Sequence, residues 1–456
     1  MGRFPVQVFQ LYGLRRYGEE VKILFISKDF SGASLCLRLL REGNEIRAYV
    51  EDPLYSQVLD GLIEKTGLDE GLLWIGPDDL IVVDDIGFGP LQDRLRSERY
   101  AVVGGSSGGD LLENDRLHCQ RIFESHGLKT VPIHYFETRG EAISFVRRNP
   151  GRWVLKQNGQ SDKTFCYVGN LPDGNDVLDL LEYYGRKIPY EVNHFILQQH
   201  IDGVEIGVGR YFNGHNWVGP VEINIEHKNF FPGGLGPKTC EMGSLMWYDP
   251  DDNNRLFQEI LAPLAPYLRQ IDFRGDFDIN CIVNERGAFP LEATSRFGYP
   301  AVQLQSALHR SPWTQFLLAL ARGESFDLQW REGFGVVVLI ALPPFPFYQS
   351  VDRERPLPLG LRVHFHTEPG EQDQRHIHWE EVTMQRNGQG RELFYACSDI
   401  GYLMHVSGMG ATIEEARQDV YRRADNIVIP KMFYRSDIGV RFLERDRVLL
   451  EKWGYL

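Results

Sequence analysis

DFDINCIVNERGAFPLEATSRFG, residues 276–298, alternates polar and apolar side chains on both sides of Glu285-Arg286-Gly287, and so predicts a β-hairpin. Asp278 and Asn280 fall on one face of its first strand, and Glu292 and Thr294 on one face of its second. A short register would bring the four together. Hard oxygen ligands of this kind suit Mg2+, which keeps waters and takes nucleotide phosphates instead of an all-protein cage. A solvated polar sheet face gives the same alternation, so the hairpin alone leaves both readings open. Arg296 follows two positions after Thr294, and Phe-Gly-Tyr-Pro at 297–300 ends the strand.

Around this hairpin lies a chain of 456 residues, enough for about three domains. Its 49 basic and 63 acidic side chains give a formal charge of -14. That balance argues against a nucleic-acid partner held by phosphate neutralisation, while a small anion could still use a local basic cleft. The six cysteines show neither CxxC spacing nor close pairing, which is expected of reduced thiols in a cytoplasm. No apolar run approaches the roughly 20 residues that span a bilayer, and the opening stretch has no continuous apolar core, so no membrane partner is expected. Residues 1–20 are read as an extension outside the fold.

The first β-rich run, VKILFIS at 21–27, passes through KDFSGAS into the helical pattern SLCLRLLREGNEI. LIVVDD at 80–85 and YAVVGG at 100–105 supply further buried-looking strands, so a parallel α/β unit is expected over 21–112. GGSSGGD at 104–110 reads as an interdomain turn before a helix from Glu113 that ends at Gly127. A second, mainly β unit is expected over 113–325 and a mixed β/α tail over 326–456. The tail closes with a helix headed by the capping-box spacing Thr412 to Glu415.

Three further stretches carry candidate chemistry. RWVLKQNGQSDKTF puts Lys156 at the end of an apolar strand and Lys163 in a polar loop after it, where backbone amides and ammonium groups could close over phosphates. An ordinary polar hairpin explains it as well. FILQQHIDGVEIGVGRYF could offer strand-end backbone to a base and Glu205 to ribose hydroxyls, or be a plain hairpin turning at Asp202-Gly203. The His-x-His pairs of VHFH (363–366) and HIHWE (376–380) read as strand-surface histidines in preference to metal ligands.

Taken in order, these pieces resemble the ATP-grasp superfamily, and within it the phosphoribosylamine-glycine ligase (GAR synthetase) family. That family's metal strand runs roughly E-x-N-x-R-F-G-D-P, matched here by Glu292, Thr294, Arg296, Phe297, Gly298, Tyr299 and Pro300. EHKNFFPGGLGPKTCEMGS (226–244) resembles its D-H-K and T-G-P-N-T-G-G-M-G segments, and FYRSDIG (433–439) its F-Y-R-x-D-I-G. The resemblance implies an α/β and α+β multidomain protein: an N-terminal parallel α/β domain, a central ATP-grasp fold and a C-terminal mixed β/α domain. It implies that Arg116, Lys156, Lys163, Gln198, Gln199, Ile201 and Glu205 bind ATP. Asn280, Glu292 and Thr294 would hold Mg2+ (or Mn2+), and Arg296 and Lys228 would face the acceptor and its acyl phosphate. Asp437 is read as tying the tail to the core. The implied activity is amide formation from an amino-acid carboxylate and an amine at the expense of ATP. In this family that means glycine and phosphoribosylamine giving glycinamide ribonucleotide in purine biosynthesis, in a monomer or homodimer. A ligase for a different acid and amine, or a nucleotide-binding protein without turnover, are the alternatives.

Overall fold

The computed structural model describes residues 21–157, 166–187, 195–347, 359–398 and 400–456. The expected extension at 1–20 and the candidate Lys163 lie outside the described residues.

Strand β1 (Lys22–Ser27) leads into helix α1 (Ala33–Arg41) and returns parallel as β2 (Glu45–Val50); β3 (Glu64–Lys65), β4 (Leu80–Val83) and β5 (Ala101–Val103) complete a parallel sheet in the order β3-β2-β1-β4-β5. Apolar side chains cover both faces of β1 and β4, as strands sandwiched by other elements require. Ile23, Phe25, Leu80 and Val82 enter the main core, whereas Leu24, Ile26, Ile81 and Val83 enter a separate one on the opposite face. Chain order reverses between β1 and β4. A crevice therefore opens beyond their carboxyl ends, where residues 27–32 and Asp84-Asp85 emerge.

The glycine-rich stretch 104–110 is only partly a turn. Ser106 caps a helix, α2 (Ser107–Asn114), by accepting from the Gly109 N–H, and Asp115 then caps α3 (Arg116–Ser125) by accepting from Leu117 and His118. The extended backbone of Asp115 thus breaks in two what the sequence presents as one helix from Glu113, and places Arg116 at the first turn of the second.

Beyond α3, strands β6 (Ile133–Phe136), β7 (Trp153–Gln157), β8 (Tyr167–Val168) and β9 (Phe195–Gln199) form an antiparallel sheet in the order β6-β9-β7-β8. Trp153, Leu155, Phe195 and Leu197 pack there on Val146 and Leu181 in a small core of their own. β9 does not pair with the strand that follows it. β10 (Val204–Asn213) enters a larger antiparallel sheet, so Asp202-Gly203 is a crossing between sheets and the plain hairpin reading falls.

The larger sheet has the order β16-β15-β10-β11-β14-β17-β22-β19. It takes β11 (Trp217–Glu226), then, past the short ribbon β12 (Asn229–Phe231) and β13 (Leu235–Lys238), β14 (Gly243–Asp249), β15 (Arg274–Asn284) and β16 (Gly287–Thr294). Tail strand β17 (Phe334–Ala341) pairs directly with β14, so one sheet runs through position 325/326. After β18 (His364–Phe365) come strand β19 (Ile377–Trp379), the separate hairpin β20 (Val382–Arg386) and β21 (Glu392–Ala396), and β22 (Tyr402–Gly410). The helix expected to close the tail, residues 413–426, has both halves of the Thr412–Glu415 capping box, but it is not the last element, since a helix at Arg447–Lys452 follows it. The 413–426 helix lies so close on β22 that a Cβ at Gly408 would sit 2.2 Å from the Val420 nitrogen. Among the described residues no helix is long and apolar enough to cross a membrane.

Candidate functional site

The register of the opening hairpin decides how its polar residues meet. Asn280 lies opposite Glu292 and Asp278 opposite Thr294, so the sheet face expected from alternation exists and all four line one cavity of about 430 Å3. Glu292, Arg116 and Lys228 also line a second cavity, of about 330 Å3, reaching out between the two antiparallel sheets. The carboxylate therefore stands where the two cavities meet.

The smaller cavity gathers the nucleotide candidates. Lys156 from β7, Gln198 and Gln199 from β9, Ile201 and Glu205 all line it. Burial, reinforced by the charge of Arg116, lowers Lys156 to about 8 even with Glu292 opposing. Burial would raise Glu205, but Lys228 and Lys238 hold it below the ordinary carboxylate value. A cavity lined by strand-end backbone, a carboxylate and cations can take a base, a ribose and a phosphate chain.

At the junction the charges interlock. Arg116 Nη1 donates to Glu292 Oε2 at 2.8 Å, while Lys228 Nζ lies 3.3 Å from Glu292 Oε1, 2.7 Å from Glu226 Oε2 and 3.7 Å from Glu205 Oε1. Burial disfavours the Lys228 charge, yet Glu226, Glu292 and Glu205 lift its pKa well above the lysine norm. Asn280 donates its amide nitrogen to Glu226 at 2.9 Å, which leaves its buried Oδ1 without a partner. That orphaned oxygen beside Glu292 is a donor pair of the hard kind Mg2+ takes, so the residues fit the ion. Thr294 lines the same cavity. Among the described residues, no group of three or more His, Cys, Asp or Glu is arranged to hold a metal by itself.

The larger cavity runs from this junction to the crevice at β1 and β4. Arg296 turns toward that crevice and pairs with Glu113 at 3.1 Å and Asp85 at 3.4 Å. Burial opposes its charge, but Glu113, Asp85 and Asp29 raise its pKa above the arginine norm. The far wall is Tyr299, Glu380, Glu381 and Tyr402. Sequence reading did not single out Asp29, Asp85, Glu113, Glu226, Glu380 or Glu381. Only Glu226 carried a signal, as the first letter of EHK.

Two other sequence readings resolve here. Asp437 accepts from the Gly233 N–H at 2.8 Å and pairs with Arg435, which donates to the Asn229 carbonyl at 2.7 Å; the tail thereby holds the 229–238 ribbon beside the cavity. His227 accepts from the Gly439 N–H through Nε2 at 3.1 Å, fixing the turn just before Lys228. His364 and His366 are exposed as expected, but His376 and His378 are not surface residues. β19 is covered by α1, and both rings meet Ser407 Oγ at 2.9 Å, with Ser34 Oγ 2.8 Å from the other nitrogen of His378.

This arrangement of sheets superposes on the crystal structure of phosphoribosylamine-glycine ligase from Thermotoga maritima with a TM-score of 0.69, over 92% of this chain and 100% of that one, at 20% identity. The fold is the ATP-grasp fold. A biotin carboxylase from Campylobacter jejuni, solved as a β,γ-ATP complex, shares the ATP-grasp fold with a TM-score of 0.61 over 93% of this chain and 96% of that one, at 12% identity. In sequence, the chain resembles phosphoribosylamine-glycine ligases: it is 23% identical over 398 residues to that of Streptomyces coelicolor, covering 86% of this chain and 88% of the relative. It is 24% identical over 392 residues to that of Corynebacterium ammoniagenes, covering 83% and 84%. No family profile matches the sequence.

Proposed function

We propose that this protein is an ATP-dependent carbon-nitrogen ligase that joins a carboxylate to an amine through an acyl phosphate. The observation that carries the reading is that Glu292 lines both cavities, one lined by the nucleotide candidates and the other by Arg296 and the hairpin's polar face. In-line phosphoryl transfer needs charge neutralisation and alignment more than a general base. Lys156 and Arg116 are placed to neutralise the phosphate chain, and Gln198, Gln199 and Ile201 to orient the base, with Glu205 on the ribose. Glu292 and Asn280 would hold Mg2+, which when bound offsets charge on the transferring phosphoryl group. The acceptor carboxylate would enter from the larger cavity, attack the γ-phosphorus and release ADP. The amine would then attack the acyl carbon, forming the amide and expelling phosphate.

The names of the relatives point to glycine as the acid and phosphoribosylamine as the amine. ADP release under MgATP is the test, first with that pair and then with a panel of acids and amines. Release that requires both an acid and an amine supports the ligase reading, and tight ATP binding without any such release sinks it.

A further inference from the structure

We infer, on the ligase reading above, that Glu380 takes the proton from the attacking amine as the amide forms, and that Tyr299 and His405 position its carboxylate for that step. Glu380 directly follows β19, which lies at the opposite edge of the large sheet from β16, the strand of Glu292. One stretch of chain joins the two edges. Beyond β16 it crosses the sheet as the helix Ala301–Leu308, whose Leu304 and Leu308 pack on Met246 of β14 and Val337 of β17. From this stretch Tyr299 donates its hydroxyl to Glu380 Oε2, and Gln303 donates Nε2 to Oε1 at 2.8 Å. The segment that carries Glu292 to the junction of the cavities thus also fixes Glu380.

Its surroundings leave the carboxylate one acceptor position for a substrate. Glu380 is 4% exposed, and among the described residues no lysine or arginine pairs with it. The third donor is His405, whose Nδ1 lies 2.6 Å from Oε1. A carboxylate offers about four lone-pair sites. Two donors fill Oε1 and one reaches Oε2, so the open site is on Oε2, in a residue that lines the larger cavity beside Tyr299. Because a carboxylate only accepts, it keeps the proton of His405 on Nδ1, and the other ring nitrogen, Nε2, is buried without a partner. An imidazole left half-satisfied in a dry interior asks for a reason, and dedicating the ring to the aim of Glu380 supplies one.

The adjacent Glu381 lines the same cavity but is held differently. The Gly401 and Tyr402 N–H groups donate to its Oε2, and burial, with Glu380 beside it, pushes it up to about 8. It keeps its proton at neutral pH, so of the two neighbours Glu380 is the one placed to receive another. In the step, the amine lone pair forms the bond to the acyl carbon and one N–H proton passes to Glu380 Oε2. The bond from that carbon to the phosphate oxygen breaks, its electron pair leaving with phosphate, which then takes the proton from Glu380.

The test uses the full chain with MgATP, glycine and phosphoribosylamine, or the acid and amine that replace them in the panel above. Hydroxylamine, largely unprotonated at neutral pH, captures an acyl phosphate as a hydroxamate without help from a base, and so reports the first half of the reaction separately. Glu380→Gln should lower kcat for amide formation by about a hundredfold or more, the scale of a lost general base, while the KM of the amine and the rate of hydroxamate formation stay within about threefold. Glu380→Asp should restore part of that kcat. Tyr299→Phe keeps its ring in the packing and should lower the same kcat by about tenfold with hydroxamate formation unaltered; it decides the matter if Glu380→Gln does not fold. Amide and hydroxamate formation falling in parallel in these variants, or amide formation untouched in them, overturns the inference while the ligase reading stands. A wild-type protein that forms hydroxamate but no amide with any amine also overturns it. Absence of both hydroxamate and amine-dependent ADP release with every acid overturns the ligase reading itself, and this inference with it.

Discussion

Arg116 and Lys228 reach opposite oxygens of one carboxylate, Arg116 Nη1 at 2.8 Å from Glu292 Oε2 and Lys228 Nζ at 3.3 Å from Glu292 Oε1. Glu292 thus orients two cations from two different elements while facing both cavities. Glu292→Ala is expected to lower kcat by on the order of a hundredfold or more and to remove the Mg2+ dependence of turnover, because a ligand and the anchor of two cations are lost together. Steady-state ADP release titrated with Mg2+ checks it, and an unchanged metal dependence removes the assignment.

Lys156 is the second point of leverage. Its ammonium, lowered to about 8, is charged at neutral pH and loses its proton as pH rises through that value. The kcat/KM for ATP should therefore fall above pH 8 with the loss of one proton. Lys156→Arg should move that fall to higher pH, and Lys156→Met should raise the KM for ATP by about tenfold or more at every pH. A profile identical in the arginine variant would show that another group titrates.

How much of this was legible beforehand differs from element to element. The hairpin at 276–298 followed from period-two alternation and a short turn, because pairing there is local, but Asn280 meets Glu292 only through a register shift between Cys281, opposite Pro290, and Asn280, which alternation does not show. The separation of β9 from β10 did not follow, since two strands joined by a tight turn look alike whether they pair with each other or with distant partners. His376 and His378 alternate like surface residues, and only tertiary packing, with Ser34 of α1 against His378 and Ser407 of β22 against both, buries them. Asp29, Asp85 and Glu113 come from three separate segments, so no sequence window contains the cluster around Arg296.

Glu381 gives stability a pH dependence. Burial pushes it up from 4.5 to about 8, Glu380 adding to the effect and the N–H groups of Gly401 and Tyr402 opposing it. The folded state holds that proton more tightly than the unfolded chain, so this contribution is fully present below pH 4.5 and is lost as pH rises to about 8. Urea unfolding across that window should show the decline, and Glu381→Gln should flatten it. A slope unaltered by the substitution would assign the decline to other groups.

Asp437 links the tail to the ribbon at 229–238. Asp437→Ala removes a partner of Arg435 and the acceptor of the Gly233 N–H, and should cost about 1–3 kcal/mol in unfolding free energy. The KM of the amine should rise with it, since the ribbon borders the acceptor cavity. Loss of stability with an unaltered KM would confine Asp437 to the fold.

The central claim is that a carboxylate is activated as an acyl phosphate at the wall where Glu292 stands. Running the reaction with a heavy-oxygen-labelled carboxylate and following the label tests it most directly. Transfer of one labelled oxygen into the released phosphate, in step with amide formation, is the predicted result. Amide or ADP formed with the label absent from phosphate would contradict it.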